Sequence, residues 1–484
     1  MDTNQIIEIG RAAGRQWSQQ TSMARRRVLS RLASVLAARQ DDLVSAIVQD
    51  VGKPSLDALS GDVLVTLEQM RYYHRHAHKV LMPRRVAGDW LLFHGSHFIE
   101  TFEPHGVVLI YGPANYPLQL SMIPAITAMY AGNAVVLKMS EQTPKLAEIL
   151  KKIVIEAALP ANLVQIVCDS PATAESYIDA RPDFICFTGS SVNGARVAER
   201  AARFLIPTLM ELGGKDAAIV FSDCNLERTI EGVVYGAFLN SGQVCVGIKR
   251  LFIEEAIYTD FMVRFKQRIW GLSISAGNED PHDLSPVSSK SLLQRLQVQI
   301  ADALQRGAQV ATDPADLSGE TPLVLIEVPR DAALLSEESF GPVLCVSRFH
   351  SEEDAIHLAD DSIFALGASV WTSDPARATR VASQMHAANI AINDVIRNIA
   401  NPAVSFGGNQ SSGYGRYHGP AGLRTFSRTK TVMYGRSKAT RERNWFPFTA
   451  KEYDLLRKLI RFRFQTFAKL SGFLGSVLNI VRSR

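Results

Sequence analysis

Short apolar runs alternate with longer amphipathic stretches along residues 106–212, and this alternation is the clearest pattern in the chain. Runs such as Val107–Tyr111 and Ala134–Lys138 have the length and composition of strands. The predicted strands are 107–111, 134–138, 163–167, 184–188 and 208–212, and the predicted helices between them are 121–130, 144–158, 172–179 and 194–204. Strands and helices that alternate in this way favour a parallel, doubly wound sheet.

The regions outside this pattern also have distinct characters. Residues 4–80 favour helices, because Ala, Leu, Arg and Gln dominate and no proline precedes Pro54. Residues 90–102 predict a strand. A second α/β region extends over 217–392, and residues 400–420 are rich in Gly, Ser and Asn and predict a long ordered loop. The predicted fold class is therefore α/β.

Length and composition are those of a globular protein with two or three domains. The chain has 484 residues, of which 46% are hydrophobic, so it can bury a large core without disulfides or metals. Its formal net charge is +4, but residues 436–484 alone hold 12 Lys/Arg and 3 Asp/Glu. The basic excess therefore lies at the end of the chain, and the body gives no reason to expect nucleic-acid binding.

Cysteine usage indicates a reducing compartment. The five cysteines are an odd number, and no CxxC pair or Cys/His cluster has metal-ligand spacing, so no metal is predicted. The N-terminus has no basic segment followed by an apolar one, which argues against a signal peptide. No apolar run is long enough to span a membrane as a helix. We therefore expect a cytoplasmic protein.

Two turns that follow predicted strands are candidates for ligand binding, since ligands of doubly wound sheets lie beyond the carboxyl ends of the strands. Gly189, Ser190 and Gly194 lie between a strand and a helix, where backbone N–H groups attract a phosphate. The same pattern is commonly only a tight turn. Lys138 and Glu141 end another strand at a spacing that suits the hydroxyls of a ribose, although a solvated charged turn explains them as well.

Two further residues are candidates for chemistry. Cys245 follows a Gly-Gln turn and is a candidate nucleophile, which would need nearby dipoles to lower the pKa of its thiol. A lone cysteine is more often a buried structural residue. Glu211 ends a strand before two glycines and is a candidate general base, although an ion pair explains a carboxylate there equally well. Taken one at a time, these residues leave both explanations open.

Five segments resemble the successive motifs of the aldehyde dehydrogenase superfamily, in the family's order. They are Tyr111–Pro117, Phe187–Ser190, Glu211–Lys215, Phe238–Cys245 and Glu338–Pro342, and the glycine-rich segments Ser405–Gly408 and Ser412–Gly413 fit the family's C-terminal region. Tyr417-His418-Gly419 and the short N-terminal region make the chain most similar to the class 3 and the fatty or coniferyl aldehyde dehydrogenases. The resemblance implies a Rossmann-like cofactor domain, an α/β catalytic domain and a small β oligomerisation element.

The resemblance also implies how the chain divides. The expected parts are an NAD-binding domain (1–84 and 103–210), a catalytic domain (211–394), oligomerisation or bridging elements (85–102 and 395–440) and a basic amphipathic tail (441–484). Because the bridging elements match those through which the family assembles, we expect a homodimer or a homotetramer.

By the same resemblance, Cys245 attacks an aldehyde carbonyl, and the amide of Asn115 stabilises the alkoxide that forms. Glu211 activates the water that hydrolyses the thioester left after hydride transfer. The residues that match the family's cofactor site are Lys138, Glu141, Gly189, Ser190, Gly194, Leu212, Gly213, Glu338 and Phe340. The carboxylate of Glu141 disfavours a 2′-phosphate, so NAD is expected, and Lys138 softens this preference enough to leave NADP open. The glycine pattern is not GxGxxG, so the cofactor should lie differently from the usual dinucleotide fold.

Departures from the family pattern concern the size of the substrate pocket. Ala114 stands where the family usually has Trp, and Gly247–Arg250 matches only loosely. The expected substrate is a medium- or long-chain aliphatic aldehyde, or an aromatic one. A CoA-acylating enzyme of the same fold and an inactive membrane-associated scaffold are the alternatives. Glu211 weighs against the first, and the joint presence of Cys245, Asn115 and Glu211 weighs against the second.

The residues beyond 445 have the pattern of a basic amphipathic helix. One side holds Leu456, Leu459, Ile460, Phe467, Leu470, Leu474, Val477, Leu478 and Val481, and the other holds Arg457, Lys458, Arg461 and Lys469. Such a helix lies in a membrane interface, or it docks its apolar face on protein. The tail resembles, in position only, the C-terminus of fatty aldehyde dehydrogenases, so residues 450–484 are a candidate for peripheral membrane contact.

Overall fold

The computed structural model describes residues 2–89, 92–275, 281–287, 289–312, 316–435, 440–442 and 445–465. The chain forms two compact units, one of residues 1–83 with 101–430 and one of residues 84–100 with 431–484. All of the predicted active-site residues belong to the first unit.

Helices surround the sheets of the first unit, and their bounds match the predicted ones to within a few residues where both exist. The α-helices are α1 (Thr3–Ser18), α2 (Ser22–Ala38), α3 (Gln40–Val51), α4 (Ser55–Asp57), α5 (Val65–Val80), α6 (Gln119–Ala131), α7 (Pro144–Glu156), α8 (Ala174–Asp179), α9 (Ser191–Ala202), α10 (Leu226–Phe238), α11 (Tyr258–Trp270), α12 (Lys290–Gln305), α13 (Ala333–Ser336), α14 (Glu352–Asp360), α15 (Pro375–Gln384) and α16 (Gly419–Thr425). A π-helix covers Ala58–Leu64, and 3-10 turns cover Pro171–Thr173, Leu239–Gly242, Glu255–Ile257 and Arg397–Ala400.

The strands fall into two large sheets and two small ones. They are β1 (Arg84–Val86), β2 (His97–Pro104), β3 (Val107–Tyr111), β4 (Ala134–Lys138), β5 (Val164–Val167), β6 (Phe184–Thr188), β7 (Thr208–Glu211), β8 (Asp216–Val220), β9 (Ile248–Glu254), β10 (Gln309–Val310), β11 (Leu323–Ile326), β12 (Val343–Phe349), β13 (Phe364–Ala365), β14 (Gly367–Trp371), β15 (Asn389–Ile392), β16 (Asn409–Gln410), β17 (Gly413–Tyr414) and β18 (Ser427–Tyr434).

The first large sheet has the order β17-β7-β6-β3-β4-β5, and all its strands except β17 are parallel. Its strands are buried on both faces, because successive side chains point to opposite sides. Val107 and Leu109 pack in one apolar cluster with Ile7 of α1, whereas Val108 and Ile110 belong to another. This is the predicted doubly wound sheet.

The second large sheet has the order β10-β11-β12-β9-β8-β14-β15, and only β10 is antiparallel. Strand β8 directly follows β7 of the first sheet in the chain, after the glycine pair 213–214. The crossing from one sheet to the other therefore lies next to Glu211 and brings the ends of both sheets to the same region.

Residues 400–420 were predicted to form a loop, and this prediction was wrong in part. They contain β16 and β17, and Gly413 of β17 pairs antiparallel with Glu211 of β7. Such two-residue strands leave no periodic pattern in the sequence, because a side-chain alternation needs four or more residues to be recognised.

In the second unit, β1 pairs antiparallel with the start of β2. Helix α17 (Ala450–Ile460) begins with a capping box, in which Thr449 and Glu452 satisfy each other's backbone N–H groups. It continues into a π-helical segment, Arg461–Gln465. The predicted tail residues from 466 onward lie outside the described residues. Within the described part of the chain, no helix has the length and apolar character needed to cross a membrane.

Candidate active site

A crevice opens at the carboxyl ends of β3, β6 and β7 and extends to the turn before β9. It encloses about 1130 Å³, its open mouth included. Its lining contains the predicted residues Asn115, Gly189, Ser190, Glu211, Leu212, Gly213, Cys245, Glu338 and Phe340. Positions more than 200 residues apart in the chain therefore line one cavity.

Cys245 lies in the short connection between the 3-10 turn Leu239–Gly242 and β9, and it is partly accessible. The chain makes this connection through left-handed backbone at Asn240, Ser241 and Gly242, with φ of 49°, 52° and 70°. The structure does not show the lowered thiol pKa that a nucleophile at this position would need. Burial raises the pKa of Cys245 to about 12, helped by the negative charges of nearby carboxylates: Asp216, Glu338 and Glu211.

Asn115 is held against the cysteine turn by hydrogen bonds. Its side-chain Nδ2 donates to the carbonyl oxygen of Gln243 at 3.0 Å. In the other direction, Nδ2 of Asn240 donates to the carbonyl oxygen of Asn115 at 3.2 Å. Because a side-chain amide carries two N–H bonds, the bond to Gln243 leaves Asn115 with a second N–H for another acceptor.

A buried charge cluster holds the chain between Asn115 and α6, and the sequence analysis missed it. Lys53 Nζ lies 3.0 Å from Asp62 Oδ2 and 3.5 Å from the centre of the Tyr116 ring. Oδ1 of Asp62 accepts from the backbone N–H groups of Leu118 and Gln119, both at 3.0 Å, at the start of α6. The signal that was available is Gly52-Lys53-Pro54, a lysine between two residues that interrupt helices, and the sequence analysis did not use it.

Glu211 ends β7 with its side chain buried and turned to the crevice. Neither of its carboxylate oxygens has a hydrogen-bond partner. Burial raises the pKa of Glu211 well above its ordinary value, and the nearby guanidinium of Arg416 opposes this only in part. A buried carboxylate without partners is costly, so it is retained at sites where its chemistry is used.

The Glu338 carboxylate lies directly over the glycine pair that follows Glu211. A Cβ on Gly213 would overlap this carboxylate, and the N–H of Gly214 donates to Glu338 Oε1 at 3.3 Å. Burial raises the pKa of Glu338. Gln299 Nε2 donates to the Glu338 carbonyl oxygen at 3.2 Å and fixes its backbone.

Helix α12 supplies a part of the lining that the sequence analysis did not predict: Leu292, Arg295, Leu296 and Gln299. Its apolar positions have ordinary helical spacing, and its polar ones match those of a solvated surface. Nothing in the sequence distinguishes such a helix from one that only covers a sheet.

The turn before α9 has the geometry of an anion site. Gly189 and Ser190 line the crevice, and the Ser190 side chain caps the helix by accepting from Asn193 N at 3.4 Å. The dipole of α9 points its positive end at the crevice. Gly194 does not line the crevice, because it lies one turn along α9, where any Cβ would overlap Leu212.

Lys138 and Glu141 are not brought onto the crevice wall. The Lys138 ammonium donates to the carbonyl oxygens of Asp169 at 2.9 Å and Met139 at 3.3 Å, and Glu141 is exposed. The neighbouring residues Ser140 and Gln142 line the crevice instead. The roles predicted for Lys138 and Glu141 therefore stay predictions.

Comparison with known proteins identifies the family of this chain. The model of the aldehyde dehydrogenase family matches residues 1–432. The chain is 37% identical over 461 residues to 4,4′-diapolycopene aldehyde oxidase of Methylomonas sp, covering 95% of this chain and 86% of the relative. It is 32% identical over 414 residues to 4,4′-diapolycopene-4,4′-dial dehydrogenase of Cytobacillus firmus, covering 84% and 89%. The crystal structure of betaine aldehyde dehydrogenase from Staphylococcus aureus in complex with NAD+ superposes with a TM-score of 0.85 at 25% identity, covering 92% and 91%.

The chain belongs to the aldehyde dehydrogenase family, and its fold is that of the family. Enzymes of this family use NAD(P)+. The residues present fit such a cofactor, because the crevice joins a helix N-terminus suited to phosphate with a half-buried carboxylate, Glu338, suited to ribose hydroxyls. Among the described residues, no group of His, Cys, Asp and Glu side chains is arranged to hold a metal ion.

Proposed function

We propose that this enzyme oxidises a long, apolar aldehyde to the carboxylic acid, with Cys245 as the nucleophile and NAD+ as the hydride acceptor. The observation that supports it best is the shared lining of one crevice by Cys245, Asn115, Glu211 and Glu338. These residues supply a soft nucleophile, an oxyanion donor, a base and a cofactor ligand, which together make up the requirements of the reaction.

In the first step the Cys245 sulfur bonds to the aldehyde carbon, and the thiol proton passes to solvent water at the open mouth of the crevice. The carbonyl oxygen becomes an alkoxide, which the second N–H of Asn115 and the backbone N–H of Cys245 stabilise. Donors placed in this way lower a barrier by about 3 kcal/mol. The bond between Asn115 and Gln243 holds the amide beside the cysteine turn before substrate arrives, so little reorganisation is needed.

A nicotinamide held beside Glu338 and Phe340 would supply the acceptor for the hydride that leaves the thiohemiacetal carbon. The acyl group then remains on Cys245 as a thioester. Glu211 takes a proton from a water molecule, which attacks the thioester carbon and releases the acid with the thiol of Cys245. The unpartnered oxygens of Glu211 are free to accept that proton.

The cofactor would be held by Gly189 and Ser190 at its phosphates and by Glu338 and Phe340 at its nicotinamide end. Leu212 and Gly213 would form the wall between them, and Gly194 packs against the Leu212 side chain. At the adenosine end we assign Lys138 and Glu141. The ammonium of Lys138 is already bonded to two carbonyl groups, and Glu141 is a carboxylate. Both facts disfavour the 2′-phosphate of NADP and favour NAD.

The proposed substrate class rests on the relatives and on the crevice. Two relatives are named for diapolycopene aldehydes, which are long apolar molecules. Ala114 lines the crevice with a small side chain beside the proposed oxyanion donor. Assignment to the class 3 group, the domain boundaries and assembly as a homodimer or homotetramer rest on the sequence resemblance alone and are part of the proposal.

A series of saturated aldehydes of increasing length tests the substrate class. We expect kcat/KM for NADH formation to rise about fourfold for each added CH₂ that the crevice buries, since burial of one CH₂ contributes about 0.8 kcal/mol. The product should be the free acid, in equal amount with and without added CoA. A rate independent of chain length would contradict the substrate class, and an acyl-CoA product would contradict the hydrolytic step.

Helix α17 and the residues around it expose apolar and basic side chains together. The exposed apolar residues include Trp445, Phe446, Phe448, Tyr453, Leu456, Ile460, Phe462 and Phe464, and the basic ones are Lys451, Arg457, Lys458, Arg461 and Arg463. An anionic lipid surface complements both properties. We propose that the enzyme resides in the cytoplasm and that this segment contacts the inner face of a membrane, where a long-chain aldehyde would be dissolved.

Replacing Phe462 and Phe464 with Glu tests this contact in the full-length protein. We expect binding to vesicles that contain phosphatidylglycerol to weaken at least about tenfold, because two apolar anchors are lost and two negative charges are added. Activity on a short, water-soluble aldehyde should stay unchanged. The matched control is Val263→Glu, an exposed apolar position on α11 of the first unit. Equal vesicle binding by all three proteins would remove the membrane proposal.

A further inference from the structure

Lys249 is a fully buried lysine near the beginning of β9, four residues after Cys245. Its ammonium donates to the carbonyl oxygen of Gly242 at 2.6 Å and to that of Gly341 at 2.9 Å. Both acceptors are neutral carbonyl groups. Burying an amine against neutral groups is unfavourable unless the bonds that it makes serve a purpose.

The two carbonyl groups belong to the two segments that have to meet during catalysis. Gly242 closes the left-handed turn that leads to Cys245, and the next carbonyl along the chain, that of Gln243, accepts from Asn115. Gly341 closes the segment 338–341, which contains Glu338. A Cβ on Gly242 would overlap the Gly341 carbonyl, so the two backbones are in direct contact at this point.

A second buried lysine holds the same segment from another position. Lys215 Nζ donates to the Ser339 hydroxyl at 2.7 Å. This bond fixes the segment 338–341 to the strand end that follows Glu211. The bonds of Lys249 differ, because they join that segment to the turn before Cys245.

We propose that Lys249 is a positioning residue, which sets the distance between Cys245 and the nicotinamide side of the crevice by joining Gly242 to Gly341. The inference rests on the proposed function, since it takes Cys245 as nucleophile and Glu338 as cofactor ligand. Hydride transfer requires close contact of the reacting carbons, and a misplacement of about 1 Å costs about 10²-fold in rate.

The charges around Lys249 show why its hydrogen bonds to Gly242 and Gly341 persist across neutral pH. Burial and then the positive charge of Lys215 lower the pKa of Lys249 to about 7, whereas Glu338, Asp216 and Cys345 oppose this shift. The amine therefore loses its proton near neutral pH. A neutral amine still carries two N–H bonds, which match the two carbonyl acceptors. The hydrogen bonds to Gly242 and Gly341 therefore do not depend on the charge of Lys249.

The variant Lys249→Met, similar in length but without a donor, tests the proposal. In the cofactor-free protein we expect hydrogen–deuterium exchange to become about tenfold faster in the peptides covering 239–246 and 338–342, because both lose the bond that closes them. The kcat for NADH formation should fall by up to about 10²-fold, because the reacting carbons are misplaced, and the KM for NAD+ should rise about tenfold, while the Tm changes little. Lys249→Gln, which keeps an N–H donor, should lie between the wild type and Lys249→Met, and it replaces the Met variant if that one does not fold.

Leu251→Ala is the matched control, because Leu251 is fully buried on the same strand but packs in the apolar core. It should lower the Tm without a local change in the two peptides. The inference would be overturned if both peptides of Lys249→Met exchanged hydrogen at the wild-type rate. It would also be overturned if Leu251→Ala showed the same local increase in exchange. The exchange measurement needs no turnover, so its result does not depend on the proposed function. The proposed function is tested separately, and it fails if Cys245→Ala stays active.

Discussion

Replacing Cys245 with Ala is expected to lower kcat/KM for aldehyde oxidation by about 10⁴-fold or more. The thiohemiacetal cannot form without the sulfur, and no second nucleophile replaces it at that place in the crevice, whose described lining contains no other cysteine. Steady-state NADH formation at saturating NAD+ measures the loss. Binding of NADH, followed by its fluorescence, should be retained, since the cofactor ligands are unchanged.

Cys224→Ala is the matched control, because Cys224 is a half-buried thiol in the turn before α10 and does not line the crevice. It should keep the wild-type rate. Residual activity of Cys245→Ala within tenfold of the wild type would contradict covalent catalysis at this position.

The state of the Cys245 thiol can be followed in the same pair of proteins. Since its pKa is raised to about 12, the thiolate is the minor form at neutral pH in the protein without ligands. Its alkylation by iodoacetamide should therefore speed up about tenfold per pH unit between about pH 7 and about pH 10. The increase should be absent in Cys245→Ala and present in Cys224→Ala.

The first sheet could be predicted from the sequence because its strands are buried on both faces. Runs such as Val107–Tyr111 and Ala134–Lys138 are apolar throughout and are separated by helices with clear amphipathic spacing. Asn115, Glu211 and Cys245 were found because each lies at the end of a strand or just after a strand or turn, within a recognisable motif. Their meeting in one crevice follows from the topology, in which the chain crosses between the sheets directly after Glu211.

What could not be predicted depends on contacts between distant parts of the chain. Lys53 with Asp62, and Lys249, are buried charged residues, and in a sequence a charged residue resembles a solvated one. Lys138 shows a different limit. A motif predicts that it binds the cofactor, but in the structure its ammonium donates to backbone carbonyl groups. Gln299 lies on a helix with no motif at all. Side-chain partners and burial, which decide these roles, are set only by tertiary packing.

The second large effect is expected for Glu211→Gln, which should lower the steady-state rate by about 10²- to 10⁴-fold. An amide cannot take a proton from water, so the thioester on Cys245 would accumulate. A rapid burst of up to one NADH per site should therefore precede the slow phase in a stopped-flow experiment. Glu227→Gln, an exposed carboxylate on α10, is the control and should show no such change. If the variant showed the slow steady-state rate without a preceding burst of NADH, Glu211 would act before or during hydride transfer. That result would contradict its role as the hydrolytic base.

The direction of the pKa shift gives this variant a second, independent signature in stability. Because the pKa of Glu211 is raised in the folded protein, the folded state binds more protons than the unfolded state from about pH 4.5 up to that raised value. The contribution of Glu211 to stability is therefore present at low pH and is lost as the pH rises. Glu211→Gln removes this loss, so its Tm relative to the wild type should increase from about pH 5 to about pH 8. In the wild type, the rate of thioester hydrolysis should rise over the same pH range, because only the ionised carboxylate acts as a base. The stability contributed by Glu211 therefore falls with pH while the hydrolysis rate rises. Both trends have one cause, which is the burial of the unpartnered carboxylate oxygens of Glu211.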